Sequence, residues 1–149
     1  MQIAMIGLGR MGANMVRRLL GDGHSCVVHD VDPRARRALE QAGATGAASL
    51  DELVSRLTPP RVVWLMLPAA AVDATLASLA PLLGPGDTIV DGGNTHYRDD
   101  VRRAAGLAGR GIHFVDVGTS GGVWGRENGY CLMVGGDAAV VERIRPILE

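Results

Sequence analysis

The stretch "MIGLGRMG", residues 5–12, decides the fold of this chain. It completes the apolar run "QIAMI" (2–6), which predicts a buried strand, and it opens a helical pattern. Gly7, Gly9 and Gly12 stand between the two in the spacing G-x-G-x-x-G. In this spacing the first glycine permits a tight turn, the second lets a ligand approach the backbone, and the third lets helix and strand pack closely. We therefore expect a strand, a tight turn and a helix as the first unit.

This loop predicts a dinucleotide site, because it lies where a strand runs into a helix. The amides at the start of that helix, aided by the helix dipole, can bind the oxygens of a pyrophosphate. The residues expected to contact the coenzyme here are Gly7, Leu8, Gly9, Arg10, Met11 and Gly12. The alternative is a plain turn without a ligand, and the agreement of spacing with context favours the coenzyme.

The rest of the chain alternates apolar runs with helical patterns, which predicts a βαβ series. Further strands are expected at 25–30, 61–67, 87–91, 112–117 and 130–134, and helices at 10–20, 34–42, 50–57, 70–80, 96–108 and 138–148. The fold class is therefore α/β, a doubly wound, mostly parallel, Rossmann-like sheet of about six strands with helices on both faces. Because no helix separates the last two strands, the final strand is expected to be an antiparallel neighbour or to be reached by a long loop.

Composition excludes several other classes. The chain has 149 residues, of which 47% are hydrophobic, so one domain with its own core is expected. The net charge of −1 and the lack of a basic block argue against nucleic acid, and no apolar run reaches the ~18 residues of a membrane span. Cys26 and Cys131 have no metal or redox spacing, so we expect buried thiols, no metal, and a reducing compartment such as the cytoplasm.

The end of the second strand bears on the choice of coenzyme. Asp30 follows Gly12 by eighteen residues, where a carboxylate accepts hydrogen bonds from the adenosine ribose and repels a 2′-phosphate. This favours NAD over NADP. Arg34, Arg36 and Arg37 leave NADP open, since one of them could reach a 2′-phosphate. The alternative is that at least two of these arginines form the solvated face of a helix.

Three further loops fall at the carboxyl ends of predicted strands, where ligands bind in open parallel sheets. Leu67, Pro68 and Ala69 follow the third strand and are expected to contact the coenzyme. The segment "DGGNT" (91–95) ends the fourth strand and "GTSGG" (118–122) ends the fifth. Together these loops predict a cleft lined by backbone, although short connections alone would also favour small residues.

Polar side chains in these loops suggest ligand contacts. Asn94 can donate and accept, which suits a nicotinamide edge or a hydroxyl, and its alternative role is to cap the next helix. Thr95 is expected to be a cap of that helix. Ser120, Gly121 and Gly122 offer successive amides and a hydroxyl, a concavity that fits a carboxylate. Ser120 is not expected to be a nucleophile, because no G-x-S-x-G elbow surrounds it.

These motifs together resemble the decarboxylating 6-phosphogluconate dehydrogenases of the β-hydroxyacid dehydrogenase superfamily. The segments that carry the resemblance are "GLGRMGANM" (7–15), "DGGNTHYRD" (91–99), "GTSGGVWG" (118–125) and "GYCLMVGG" (129–136). Where many NADP-using members have an arginine that clasps the 2′-phosphate, this chain has Val31. That departure is typical of the short, NAD-preferring branch.

The resemblance implies hydride transfer from C3 of 6-phosphogluconate to the coenzyme, followed by loss of CO2 to give ribulose 5-phosphate. It implies that Asn94 lies between coenzyme and substrate, and that Ser120, Gly121 and Gly122 hold the substrate's carboxylate region. The family's catalytic lysine lies in a helical second domain, and all fifteen basic residues here are arginine. Residues 1–149 are thus expected to be the coenzyme domain of a longer, homo-oligomeric enzyme and to be inactive alone.

Two alternatives stay open at this point. The enzyme could act on a smaller β-hydroxyacid of the 3-hydroxyisobutyrate type. The chain could instead be a free-standing, non-catalytic NAD-sensing module, which a natural stop after Glu149 would favour.

Overall fold

A seven-stranded sheet forms the centre of the molecule. The computed structural model describes the backbone of residues 1–149 and every side chain except that of Val123. The strands are β1 (Gln2–Ile6), β2 (Ser25–His29), β3 (Thr45–Gly46), β4 (Val62–Leu65), β5 (Thr88–Asp91), β6 (His113–Ser120) and β7 (Cys131–Gly135). The helices are α1 (Arg10–Gly21), α2 (Pro33–Glu40), α3 (Leu50–Ser55), α4 (Ala69–Leu79), α5 (Tyr97–Ala108), α6 (Gly125–Asn128) and α7 (Ala138–Ile144).

The strand order is β3-β2-β1-β4-β5-β6-β7, and every neighbouring pair is parallel except β6 with β7. This confirms the doubly wound, Rossmann-like fold and the antiparallel final strand. Two elements were not expected: the four-residue helix α6, which lies between the last two strands, and β3, whose two residues pair with Val27 and Val28. A strand this short carries no apolar run, so the sequence pattern gave no signal for it.

Helices cover both faces of the sheet and divide the core in two. One half packs α3, α4 and α5 on the sheet through Leu53, Leu76 and Leu107. The other half packs α1, α2 and α7 through Val16, Leu39 and Ile144. None of the helices in the described part of the chain is long and apolar enough to cross a membrane.

Side-chain oxygens cap the first turns of two helices. The Ser49 hydroxyl accepts a hydrogen bond from the Glu52 amide at 3.1 Å and so caps α3. The Asp137 carboxylate accepts from the Ala139 amide at 2.9 Å and caps α7. Each cap satisfies an amide that the first helical turn leaves without a partner.

The two cysteines differ in exposure. Cys26 is buried in β2, as expected, but the prediction for Cys131 is wrong, because its thiol is exposed. Cys131 begins β7, an edge strand that pairs only with β6. Residues 131–134 of the apolar run therefore lie in a strand whose residues are mostly exposed, whereas a central strand is covered on both faces.

Candidate functional site

A cleft opens at the carboxyl ends of the strands, beside the point where the strand order reverses. That point lies between β1 and β4, which neighbour each other although β2 and β3 separate them in the chain. A cavity of about 780 Å³ lies there, walled by the glycine loop, the end of β2, the loop after β4 and one side of α4. Of the predicted coenzyme contacts, the structure brings Gly7, Gly9, Asp30, Leu67 and Pro68 together in this wall.

The three loop glycines play different structural roles. Gly7 has a φ of +93°, and a Cβ there would overlap the carbonyl oxygen of Met66. A Cβ at Gly12 would overlap the carbonyl oxygen of Gly7, so this glycine lets α1 pack on the turn. Gly9 has open space around it within 4 Å and an ordinary negative φ. The fold therefore requires glycine at positions 7 and 12, whereas at position 9 glycine leaves room for something outside the chain.

The start of α1 presents amides to the cleft side of the glycine loop. The first bond inside the helix runs from the Ala13 amide to the Gly9 carbonyl at 2.9 Å. The amides of Arg10, Met11 and Gly12 precede it and have no acceptor within the helix. This is the arrangement that binds phosphate oxygens at helix N-termini.

Asp30 links the end of β2 to the glycine loop. Its carboxylate accepts from the Leu8 amide at 2.6 Å and from the Asp32 amide at 2.8 Å. Leu8 itself is buried, with 5% of its surface exposed, so its side chain belongs to the core. The carboxylate is thus held in one orientation at the edge of the larger cavity, with lone pairs left for ligand hydroxyls.

The arginines after Asp30 are mostly committed to local contacts. Arg36 donates to the Asp30 carbonyl at 2.6 Å, and Arg34 pairs with Asp32 at 3.3 Å while its side chain stays 85% exposed. Arg37 is exposed. Val31 extends into solvent beside the larger cavity with 93% of its surface exposed. The solvated face expected for these arginines fits Arg34 and Arg37.

A second cavity of about 520 Å³ adjoins the first and shares its wall at Met66 and Leu67. It is lined by Met11, Met66, Leu67, Gly92, Gly93, Asn94, Thr95, Asp116, Gly118, Thr119 and Met133. It therefore joins the glycine loop side of the cleft to the ends of β5 and β6. Asn94 is exposed on its rim, as a ligand contact requires.

The loop after β5 is organised by a buried carboxylate that the sequence analysis did not identify. Asp91 is fully buried and accepts from the Gly93 amide at 3.0 Å and from the Thr95 hydroxyl at 2.9 Å. The expectation that Thr95 caps α5 is therefore wrong. The cap is His96, whose Nδ1 accepts from the Arg98 amide at 3.3 Å, because the Thr95 hydroxyl is turned inward to Asp91.

A strip on one face of β6 leads from the second cavity towards solvent. Asp116 pairs with Asp91 on β5, and alternate residues Gly118 and Ser120 share its face of the sheet. These three residues form the β6 strip. Ser120 is the exposed last residue of the strand, and Gly121 and Gly122 follow with φ values of +141° and +53°. The predicted carboxylate cradle, residues 120–122, thus lies at the end of this strip, beyond the cavity residues Gly118 and Thr119.

Asp116 is a further polar group of the cleft that sequence reasoning missed. It is half-buried on the wall of the second cavity. Partial burial, together with the charge of Asp91, raises the pKa of its carboxyl. The signal in the sequence was its position two residues before Gly118, on the alternation that ends at Ser120.

Beneath the loop after β5, three carboxylates surround one buried arginine. Arg103 on α5 donates to Asp100 at 2.9 Å and to Asp73 on α4 at 2.8 Å, and its Nη1 lies 3.5 Å from Asp91. Burial is the main cause that raises the pKa of Asp100 to about 6; the bond from Arg103 opposes the shift, while the charges of Asp91 and Asp116 add to it.

This shift predicts an unusual pH dependence of stability. A carboxyl whose pKa rises on folding, here from 3.8 to about 6, binds its proton more tightly in the folded state. Its contribution to stability is therefore present at low pH and is lost as the pH rises through that interval. We expect the free energy of unfolding of wild type, relative to Asp100→Asn, to fall between about pH 4 and pH 6.

Chemical denaturation of both proteins across that range measures this difference. Asp99→Asn, one residue earlier on the same helix with a half-exposed side chain, controls for removal of a carboxylate from α5. A difference between wild type and Asp100→Asn that is flat, or that rises with pH, would contradict the assignment.

Comparison with known proteins identifies the family. A model described as the NAD binding domain of 6-phosphogluconate dehydrogenase matches residues 2–149. The chain belongs to this family. A relative from Haloferax volcanii, an NAD(+)-dependent, decarboxylating 6-phosphogluconate dehydrogenase, is 45% identical over 150 residues, which cover 100% of this chain and 49% of the relative. This NAD-binding domain thus spans about half the length of that protein.

Two solved structures place the NAD-binding domain among dehydrogenases of two kinds. Plasmodium falciparum 6-phosphogluconate dehydrogenase, described with its cofactor NADP+ and its substrate, matches with a TM-score of 0.92 at 28% identity, covering 100% of this chain and 33% of that one. Mycobacterium tuberculosis 3-hydroxyisobutyrate dehydrogenase with L-serine matches with a TM-score of 0.91 at 31% identity, covering 99% and 50%. The relatives therefore include users of either coenzyme.

Proposed function

We propose that this chain is the coenzyme domain of an NAD-preferring 6-phosphogluconate dehydrogenase. The observation that carries the proposal is that the glycine loop and the Asn94 loop open onto adjoining cavities at the carboxyl edge of one sheet. The reaction would transfer a hydride from C3 of 6-phosphogluconate to the coenzyme and remove the proton of the C3 hydroxyl. The resulting β-keto acid would lose CO2 to give ribulose 5-phosphate.

The residues present fit NAD at this edge. The open space at Gly9 and the free amides of Arg10, Met11 and Gly12 would hold the pyrophosphate, and Asp30 would accept hydrogen bonds from the adenosine ribose. When bound, the nicotinamide supplies the hydride acceptor. Ala69, at the first position of α4, would complete the coenzyme wall with Leu67 and Pro68.

The substrate would lie over the second cavity and the β6 strip. Asn94 would orient a hydroxyl or the carboxamide of the coenzyme, since its side chain both donates and accepts. The amides of Gly121 and Gly122 and the Ser120 hydroxyl would receive the carboxylate. The proton of the C3 hydroxyl requires a base, and the lysine that the family resemblance implies has no counterpart among these residues. A longer, homo-oligomeric polypeptide would supply it.

Preference for NAD over NADP is supported by the end of β2. Asp30 presents negative charge where a 2′-phosphate would lie, and Arg36 is engaged by the Asp30 carbonyl. We expect Val31→Arg to raise the affinity for NADP relative to NAD by about fivefold, because the new guanidinium is exposed beside the larger cavity. Calorimetric titration with both coenzymes measures the ratio. Val31→Gln is the uncharged control, and an equal change in the two variants would contradict the prediction.

The test of the reaction is an assay of a longer polypeptide, expressed from a reading frame that includes these residues and continues past Glu149. We expect NAD reduction and CO2 release with 6-phosphogluconate, and none with 3-hydroxyisobutyrate. Preference for 3-hydroxyisobutyrate would move the enzyme to the other branch represented among its structural relatives. The 149-residue chain alone is expected to bind NAD without turnover, and turnover by it would contradict the proposed division of labour.

A further inference from the structure

One buried side chain contacts the elements that carry the two loops bordering the second cavity, the loop after β4 and the loop after β5. Arg103 is buried, with 3% of its side chain exposed. Its Nε donates to Asp73 on α4 at 2.8 Å, and α4 begins directly after Leu67 and Pro68. Its Nη1 lies 3.5 Å from Asp91, which ends β5. One guanidinium therefore contacts the elements that carry both loops.

Asp91 connects Arg103 to the loop that contains Asn94. Its two oxygens accept from the Gly93 amide and the Thr95 hydroxyl, the residues on either side of Asn94. Gly93 also lies so close to the opposite loop that a Cβ there would be 2.7 Å from the Leu67 carbonyl oxygen. The position of Asn94 thus depends on where the Asp91 carboxylate is held.

The charge balance makes Arg103 hard to replace. Asp91 and Asp100 are 0% and 3% exposed, and the guanidinium of Arg103 is the cation that reaches both. Among the described side chains, Asp100 Oδ2 is buried without a hydrogen-bond partner, so this cluster already lacks donors. Removing the guanidinium would leave buried carboxylates without compensation, and they would take up protons or draw in water.

We propose that Arg103 is a positioning residue for the nicotinamide half of the coenzyme, because it holds Asp91, and with it the Asn94 loop, against the loop at Leu67. The inference rests on the coenzyme placement in the proposed function. It concerns only one end of the cleft. The adenosine end, at Asp30 and the glycine loop, has no contact with Arg103 in the hydrogen bonds and ion pairs of the described residues.

This asymmetry gives a readout that general loss of structure would not produce. NAD and ADP-ribose share the adenosine, the pyrophosphate and the second ribose, and they differ by the nicotinamide. We expect wild type to bind NAD more tightly than ADP-ribose by calorimetry. We expect Arg103→Met to weaken NAD binding by about tenfold and to leave ADP-ribose binding within about twofold. Arg103→Lys keeps the charge but loses the forked guanidinium, so its affinity for NAD should lie between those of wild type and Arg103→Met.

Two variants complete the experiment. Arg102→Met is the matched control, since Arg102 is a neighbouring arginine on α5 that also pairs with Asp73, at 3.0 Å, but is 59% exposed. It should change neither affinity. If Arg103→Met does not fold, Thr95→Val is the substitute, because it replaces only the hydroxyl that donates to Asp91 with a methyl group. It should weaken NAD binding by about threefold and leave ADP-ribose binding unchanged.

The outcomes separate this inference from the proposed function. Equal losses for NAD and ADP-ribose, no loss for either, or equal binding of both by wild type would overturn the role of Arg103 while leaving a coenzyme site in place. Failure of wild type to bind either molecule would overturn the proposed function, and the inference with it.

Discussion

Gly9→Ala is expected to abolish most NAD binding while leaving the fold intact. A methyl group at this position meets no atom of the protein within 4 Å, and the backbone φ of −61° is one that alanine adopts. The same methyl group would occupy the space in which a pyrophosphate approaches the amides at the start of α1. Loss of one or two charge-assisted hydrogen bonds predicts an affinity lower by about 10- to 100-fold.

Calorimetric titration with NAD and thermal unfolding are both needed for this variant. Stability should stay within about 1 kcal/mol of wild type, since a poorer helix cap is offset by a stiffer unfolded chain. Gly21→Ala, at the other end of α1 and also in open space, is the control and should bind NAD as wild type does. Unchanged affinity in Gly9→Ala would exclude the glycine loop as the pyrophosphate site.

Gly12→Ala is expected to fail for a different reason. Its methyl group would overlap the Gly7 carbonyl oxygen and come within 3.3 Å of the Met66 side chain, so α1 would have to move away from the turn. Overpacking of this kind costs about 1–3 kcal/mol of stability. Because α1 carries the phosphate-binding amides, coenzyme affinity should fall together with stability.

Urea unfolding of Gly12→Ala measures the cost, and another helical glycine supplies the contrast. Gly106, in the last turn of α5, has open space around it within 4 Å. Gly106→Ala should therefore raise stability by up to about 1 kcal/mol, because alanine is the better helix former. If the two variants shift the unfolding midpoint in the same direction, the close packing attributed to Gly12 is wrong.

Much of this architecture could be predicted from the sequence, because it follows from period and spacing. Apolar runs between helical patterns gave six of the seven strands, and G-x-G-x-x-G gave the turn after β1. The short strand β3 escaped because two residues carry no pattern. Cys131 was expected to be buried because its run is apolar, but an edge strand lacks the neighbours that bury a central one.

The parts of the site that could not be predicted depend on contacts between distant elements. Asp73 and Arg103 are thirty residues apart, and only the packing of α4 beside α5 brings them within 2.8 Å. The role of Thr95 was misassigned for a local reason. Its position before a helix favours a cap, but the buried carboxylate of Asp91, four residues earlier, accepts a hydrogen bond from its hydroxyl. A sequence pattern shows which side chains can form hydrogen bonds, but it does not show which buried group becomes the partner.

Backbone-amide NMR spectra of the 149-residue chain, recorded during titration with NAD, test the central claim most directly. We expect the largest shifts at the carboxyl edge of the sheet, in the glycine loop (7–12), at Asp30, in the loop 67–69 and at Asn94. Shifts absent from this edge, or concentrated at the opposite edge of the sheet around Gln2 and Arg143, would contradict it.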